Sequence, residues 1–212
     1  MSSVINNFVK VKKLINNKDI NIIAVSKSFQ YEHIKPLVDI GHTHFGENKV
    51  QEAQNKWLKI KDTIKTINLH MIGKLQSNKA KDAVNLFEYI HSVDNPKLAG
   101  LLSKYENSLK KKRKYFIQVN IGREKQKSGI MIEQLDSFYT HCTKKLSLNV
   151  IGLMTIPPDD GNESIYFKNL MELNNSLGLY EISMGMSGDY MKAIKYKSTF
   201  VRIGSAIFGD RI

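Results

Sequence analysis

The sequence predicts an α/β fold, a single closed (β/α)8 barrel of the TIM type preceded by one extra helix. Three observations point there. Eight short runs rich in β-branched and aromatic residues recur along the 212 residues. Longer stretches with helical spacing of apolar residues separate them, as expected of parallel strands joined by crossover helices. Eight is also the number of strands that closes such a barrel. An open doubly wound sheet is the competing architecture. Its Gly-rich phosphate turn after the first strand is missing, because "AVSKSFQYEH" holds no glycine.

The elements follow in order. An amphipathic segment from Val4 to Asn16 is the extra N-terminal helix. "NIIAVSK" is the first strand and ends on Lys27. "HTHFGE" is the second, and "NKVQEAQNKWLKIKD" after it puts Val50, Ala53, Trp57 and Ile60 on one helical face. "INLHMIG", "YIHSVD", "KYFIQVNI" and "LNVIGLMTI" supply strands three to six. "YEISMGM" is the seventh, with a short helical segment "DYMKAIK" behind it, and "TFVRIGSAIF" is the eighth. There is no repeat of fixed period, no low-complexity segment and no linker, so one domain is expected over residues 1–212.

Composition narrows the class. A hydrophobic fraction of 42% and a charged fraction of 25% are those of an ordinary soluble globular protein. No apolar run reaches the length of a transmembrane span, about 18 residues. The amino terminus lacks the apolar core and cleavage site of a signal peptide. The lone cysteine, Cys142, has no partner for an internal disulfide, fits a reducing cytosol and falls on a predicted helix, where packing is its expected role. A cytoplasmic location is expected. The net charge of +12 raises nucleic-acid binding as a possibility to weigh. Only four of the 32 basic residues are arginine, and lysine, asparagine and isoleucine are over-used together, as an AT-rich genome produces. The lysines are scattered except for "KKKRK" at Lys110–Lys114, which has no interleaved aromatics. Nucleic acid is therefore not an expected partner.

A barrel carries its function on the loops at the carboxyl ends of its strands. Read in order, those ends present Lys27, Glu47 with Asn48, Gly73 with Lys74, Asp94, Asn120, Met154 with Thr155, Ser187, and Gly204 with Ser205. Small residues in "SMGMSGD" and "RIGSAIFGD" let backbone approach a ligand, and the loops after strands seven and eight of such barrels frequently bind phosphate. Ser187, Gly204 and Ser205 are the phosphate candidates. Arg202 lies between Val201 and Ile203, so period-two alternation turns it toward the barrel interior. A buried guanidinium needs an acceptor. That is either a core salt bridge, to Glu47 or Asp94, or a heteroatom of a bound ligand. Lys27 is either a solvated strand end or an amine facing the pocket, where partial desolvation beside other cations eases loss of its proton. An aldehyde that also carries a phosphate and a ring nitrogen engages all three features, and pyridoxal 5′-phosphate (PLP) is such a molecule.

The remaining signals are weaker. His42, His44, His70 and His91 lie in or beside strands two to four, and the His42-Thr43-His44 spacing puts two imidazoles on one strand face. No Cys or carboxylate joins them at zinc-ligand spacing, so no metal is expected. No Gly-x-Ser-x-Gly elbow occurs.

The chain resembles the pyridoxal-phosphate homeostasis protein family, whose fold is similar to the amino-terminal barrel of alanine racemase. The resemblance rests on "AVSK" (Ala24–Lys27), "HFGENKVQEA" (His44–Ala53), "LHMIGKLQSNK" (Leu69–Lys79), "IHSVD" (Ile90–Asp94), "QVNIGREKQKSG" (Gln118–Gly129), "GLMTIPP" (Gly152–Pro158), "SMGMSGDYMKAI" and "VRIGSAIFGDR". It implies that Lys27 forms a covalent internal aldimine with PLP and that Ser187, Gly204 and Ser205 hold the phosphate. It further implies that Arg202 faces the pyridine nitrogen and that Asn48 lines the pocket. The family usually has threonine where Ser205 stands; the hydroxyl is kept. It commonly has a proline a few positions after the lysine. "SKSFQYEHI" has none, so the rigidity of that loop is in question.

An arginine opposite the pyridine nitrogen does not give up a proton, which makes the ring a poorer electron sink than a carboxylate partner would. Alanine racemase works with the same arrangement but adds a tyrosine base from a second domain in a dimer. This chain ends at Ile212, just after its eighth strand. The resemblance thus implies a PLP-binding protein of vitamin B6 homeostasis without robust catalysis. It would support supply to PLP-dependent apo-enzymes, and a barrel without an evident exposed apolar seam is expected to be a monomer. A racemase-like enzyme is the first alternative and a basic nucleic-acid-binding protein the second.

Overall fold

The computed structural model describes residues 2–209, in which eight parallel strands close into one barrel in sequence order. They are β1 (Asn21–Val25), β2 (His44–Glu47), β3 (Asn68–Met71), β4 (Tyr89–Val93), β5 (Lys114–Gln118), β6 (Val150–Met154), β7 (Glu181–Met186) and β8 (Phe200–Ile203). Each lies inside one of the eight apolar runs. β8 returns to β1, with Asn21 opposite Phe200 and Ala24 opposite Ile203, so the sheet keeps no open edge. Residues 1 and 212, the expected domain limits, and the Asp210–Arg211 end of the last motif lie outside the described residues.

The helices are α1 (Ser3–Ile15), α2 (Tyr31–Asp39), α3 (Val50–Thr63), α4 (Ala80–Leu86), α5 (Pro96–Leu109), α6 (Leu135–Thr140), α7 (Glu163–Ser176), α8 (Tyr190–Lys195) and α9 (Ser205–Phe208). The extra helix α1 starts where the Ser2 hydroxyl accepts from the Ile5 amide and stops at Asn16, in the left-handed conformation. Its buried stripe of Val4, Phe8, Val11 and Ile15 packs toward α2 and α9, and Asn7 Nδ2 donates to the Ile207 carbonyl at 3.2 Å. In α3, Val50, Ala53 and Trp57 are buried, with Ile60 half-buried on the same face.

Apolar burial falls in two compartments. One lies between strands and helices and includes Trp57, Phe45, Phe87 and Phe167. The other is the barrel interior, filled by Ile23, Tyr89, Phe116, Met154 and Phe200. Tyr89 and Phe200 open their strands, so this plug blocks the amino-terminal end of the barrel. Ligand space is left at the carboxyl end.

Four of the five residues of the basic cluster around the start of β5 make contacts within the protein itself. Lys111 Nζ donates to the Asn85 carbonyl at 2.8 Å, and Lys112 Nζ lies 3.4 Å from Glu106. Arg113 Nε donates to the Val84 carbonyl at 2.8 Å, and Lys114 Nζ to the Tyr89 hydroxyl at 3.1 Å. These contacts tie the α5–β5 turn to α4 and β4, at the end of the barrel away from the strand carboxyl ends.

His42 and His44 do not share a strand face. β2 begins only at His44, so period-two alternation does not reach back to His42. The His42 ring packs against Phe8 and Phe45, while His44 points inward and meets His70. Among the described residues no group of three or more His, Cys, Asp or Glu is placed to hold a metal ion, and no helix is long and apolar enough to cross a membrane. Cys142 is buried in the single turn that follows α6, and burial pushes its thiol up to about 12.

Candidate functional site

A cavity of about 520 Å³ opens among the carboxyl ends of the strands, well within the range of small-molecule sites. Lys27, Asn48, Ser187, Arg202, Gly204 and Ser205 all line it. The other strand-end residues singled out in the sequence do not. Glu47 turns outward to α3, and Gly73 and Lys74 border a neighbouring depression. Asp94 accepts from Asn95 at 2.7 Å, Asn120 clamps the backbone of Glu124, and the Thr155 hydroxyl donates to the Val119 carbonyl.

Lys27 sits on a loop that α3 holds from behind. The Glu47 carboxylate oxygen Oε1 accepts from the Ser26 hydroxyl at 2.7 Å, Trp57 Nε1 at 2.8 Å and Lys56 Nζ at 2.9 Å. Lys56 also donates to the Ser26 carbonyl at 2.7 Å. On the other side of the lysine, Ser28 takes a left-handed φ of +69° and its amide donates to Glu52. That conformation costs a non-glycine residue about 1 kcal/mol, offset here by the bond to Glu52. The residues before and after Lys27 are therefore both staked to α3. The rigidity that a proline would supply comes from Glu47, Glu52 and Lys56 instead.

The opposite wall is built where β7 and β8 lose register. Ser183 faces Phe200 but Met186 faces Arg202, an irregularity centred on Gly185, whose φ is +92°. Such a bulge re-aims the residues after it, here Met186 and Ser187, toward the mouth. The Ser187 hydroxyl oxygen accepts from the Gly204 amide at 3.2 Å and the Ala206 amide at 3.4 Å. Ser187 thus occupies an acceptor position before two amides and the exposed Ser205 hydroxyl, which suits an anionic oxygen equally well. A Cβ added to Gly204 would meet only Val25 at ordinary contact, 3.5 Å, so its absence serves the cavity rather than the packing. Gly73 differs: a Cβ there would lie 2.4 Å from the Asn48 carbonyl oxygen, so glycine at 73 is what lets Asn48 keep its place.

Arg202 is buried, and neither Glu47 nor Asp94 bonds to it. Nη1 donates to the Ser183 hydroxyl and Nη2 to the Thr155 carbonyl, both at 2.8 Å. Burial pushes the guanidinium down to about 10, so it stays charged at neutral pH. A buried cation with neutral acceptors on one side and the cavity on the other is disposed toward an acceptor on a ligand. Apolar walls complete the cavity: Val25, Phe29, Ile72, Ile156 and Met186. The sequence reading missed these, since apolar residues at strand ends look like core, and it missed the staking by Glu52 and Lys56.

Comparison with known proteins bears on what fills the cavity. Residues 1–212 match the family model described as alanine racemase, N-terminal domain. A pyridoxal phosphate homeostasis protein of Synechocystis sp. is 36% identical over 202 residues, covering 91% of this chain and 92% of that protein. PipY of Synechococcus elongatus, solved without and with PLP bound, superposes with TM-scores of 0.90 and 0.89 at 31% and 30% identity, over 97% of this chain and 100% of PipY. An alanine racemase of Clostridium difficile shares the fold, with a TM-score of 0.77 at 15% identity over 97% of this chain and 56% of that one.

Proposed function

Because the chain belongs to the pyridoxal phosphate homeostasis proteins, within the family of the alanine racemase N-terminal domain, we propose that it binds PLP on Lys27. Lys27 holds the aldehyde carbon as a Schiff base, while Ser187, Gly204 and Ser205 take the phosphate. Arg202 faces the ring nitrogen, and Asn48 lines the pocket. The protein keeps the cofactor reversibly, limits free aldehyde and supports supply to PLP-dependent apo-enzymes, without robust catalysis of its own.

One observation carries this reading. A single cavity gathers an amine, a phosphate-sized set of hydroxyl and amide donors, and a buried cation. Those are the groups that the aldehyde, the phosphate and the pyridine nitrogen of PLP each require. The donor set fits, and the volume suffices. Bound PLP supplies an electrophilic carbon and a conjugated ring; the protein supplies the nucleophile, the anion cradle and a donor-only partner for the nitrogen.

The same lining supports the absence of robust catalysis. Among the described residues that line the cavity, Lys27 and Arg202 are the only ionisable ones. Racemisation needs a proton acceptor on each face of the substrate carbon, and arginine does not serve as one. Incubated with L-alanine, the PLP-loaded protein is expected to form no D-alanine beyond the rate of free PLP. Sustained formation of D-alanine would favour the racemase-like alternative.

The phosphate cradle has its own test. Gly204→Ala fits the fold, because φ is −112° and the new Cβ makes only ordinary contact with Val25. It fills the cradle, however. Loss of a charge-assisted bond predicts PLP retention weaker by about ten- to a hundredfold, with little change in Tm. Pyridoxal, which lacks the phosphate, is expected to bind the variant and the wild type alike in a fluorescence titration. Equal loss for both ligands would move the phosphate elsewhere.

A further inference from the structure

A row of three histidines, His91 and His70 fully buried and His44 half-buried, crosses the barrel interior behind Arg202, and nothing in the cofactor contacts themselves requires it. We propose that Ser183, His91, His70 and His44 form a one-way hydrogen-bond chain that orients Arg202 toward the pocket, which makes Ser183 and His91 positioning residues for its contact with the cofactor. This rests on the PLP reading for the identity of the ligand, but not for the existence of the chain.

Direction in the chain follows from donor arithmetic. A guanidinium only donates, so the Ser183 oxygen accepts from Arg202 Nη1 at 2.8 Å. Ser183 is fully buried, and the one ring nitrogen available to its own hydroxyl proton is His91 Nδ1 at 2.9 Å. In neutral His91 the proton then sits on Nε2, which donates to His70 Nδ1 at 2.9 Å. His70 Nε2 in turn donates to His44 Nδ1, also at 2.9 Å. Each bond sets the next, so one charged group at the pocket dictates the tautomer of three rings reaching to the first residue of β2. Running the chain backward would direct both a ring N–H and a guanidinium N–H at the Ser183 oxygen. The hydroxyl proton would then lose the acceptor that His91 provides, a cost borne in a fully buried site.

Two further features hold the chain in this form. The His70 ring stacks on Tyr89 with centroids 4.3 Å apart and planes 12° apart, and the His91 ring stacks on Phe116 at 4.3 Å and 19°. Neither ring is free to turn toward other partners. Burial first, then the neighbouring cationic or imidazole groups, holds His70 and His91 well below the ordinary histidine range, so both stay neutral. The chain crosses five strands whose members lie far apart in sequence. Its effect is to fix the Ser183 oxygen, and with it one arm of the guanidinium, so that Arg202 meets a ligand without reorganising.

Histidine-selective 15N labelling of the full chain and a long-range 1H–15N correlation at pH 7.5 test the chain directly. The expected result is the neutral Nε2–H tautomer at His44, His70 and His91, with or without PLP. In Arg202→Met the Ser183 hydroxyl loses its obligatory donor, and the three rings are expected to show mixed tautomers. Packing alone would leave them unchanged. Ser183→Ala is expected to weaken PLP retention about tenfold, the size of one hydrogen bond to a charged group. If wild-type protein takes up no PLP while the tautomers stay fixed and depend on Arg202, the cofactor reading fails and the chain stands without that ligand. Nδ1–H at His91, or tautomers indifferent to Arg202, would overturn the chain whatever the cofactor result.

Discussion

Replacing Lys27 by alanine is expected to abolish the visible imine absorbance of the PLP-loaded protein and to leave the barrel folded. Lys27 is the only primary amine among the described residues that line the cavity; Lys74 and Lys79 border the neighbouring depression. The groups that stake its loop are the Ser26 hydroxyl and carbonyl and the Ser28 amide, none of which the substitution removes. The barrel is therefore expected to stay folded. The phosphate cradle and Arg202 remain, so non-covalent PLP is expected to persist as the free aldehyde. An absorbance titration of the two proteins, with circular dichroism for the fold, reads both consequences. An imine band of wild-type strength in Lys27→Ala would place the amine on another residue.

The largest expected effect on stability comes from Lys56→Met. Glu47 is fully buried, and its Oε1 collects the Lys56 ammonium, the Trp57 indole and the Ser26 hydroxyl. Oε2 is buried without a hydrogen-bond partner among the described residues. Removing the cation leaves a carboxylate in the interior with two neutral donors, which costs about 3–5 kcal/mol. For a chain of this size that lowers Tm by roughly 10 °C. It also takes the donor from the Ser26 carbonyl, so the Lys27 loop loosens and imine formation slows. The double substitution Glu47→Gln with Lys56→Met removes both charges together and is expected to recover most of the stability. A single variant that melts within about 2 °C of the wild type would mean the pair is solvated, contrary to its burial.

Much of the fold was legible in the sequence because the strands of a closed parallel barrel are covered on both faces and read as continuous apolar runs. The six pocket residues were legible because each interrupts, ends or follows such a run with a residue that is out of place there, such as Lys27 after "IIAVS" or Arg202 between Val201 and Ile203. Their convergence on one cavity follows from the barrel. What escaped the sequence has a common cause: partners distant along the chain. Lys56 and Glu52 read as ordinary exposed positions of an amphipathic helix, although they hold Ser26 and Ser28. Ser183 read as a small residue of "SMGMSGD", and the histidines of β2, β3 and β4 as a weak metal signal without ligand spacing. Only the closed barrel brings positions 44, 70, 91 and 183 into a row. The apolar pocket walls, Ile72 and Ile156 among them, carry no signal that separates them from core.

Trapping the imine tests most directly whether Lys27 is the amine that holds the cofactor. Purified protein should be loaded with PLP, reduced with borohydride and digested, and the modified peptide located by mass spectrometry. About one stable adduct per chain is expected, on the peptide that contains Lys27, as for a single activated amine. Label spread over many of the surface lysines, with no preference for Lys27, would contradict it.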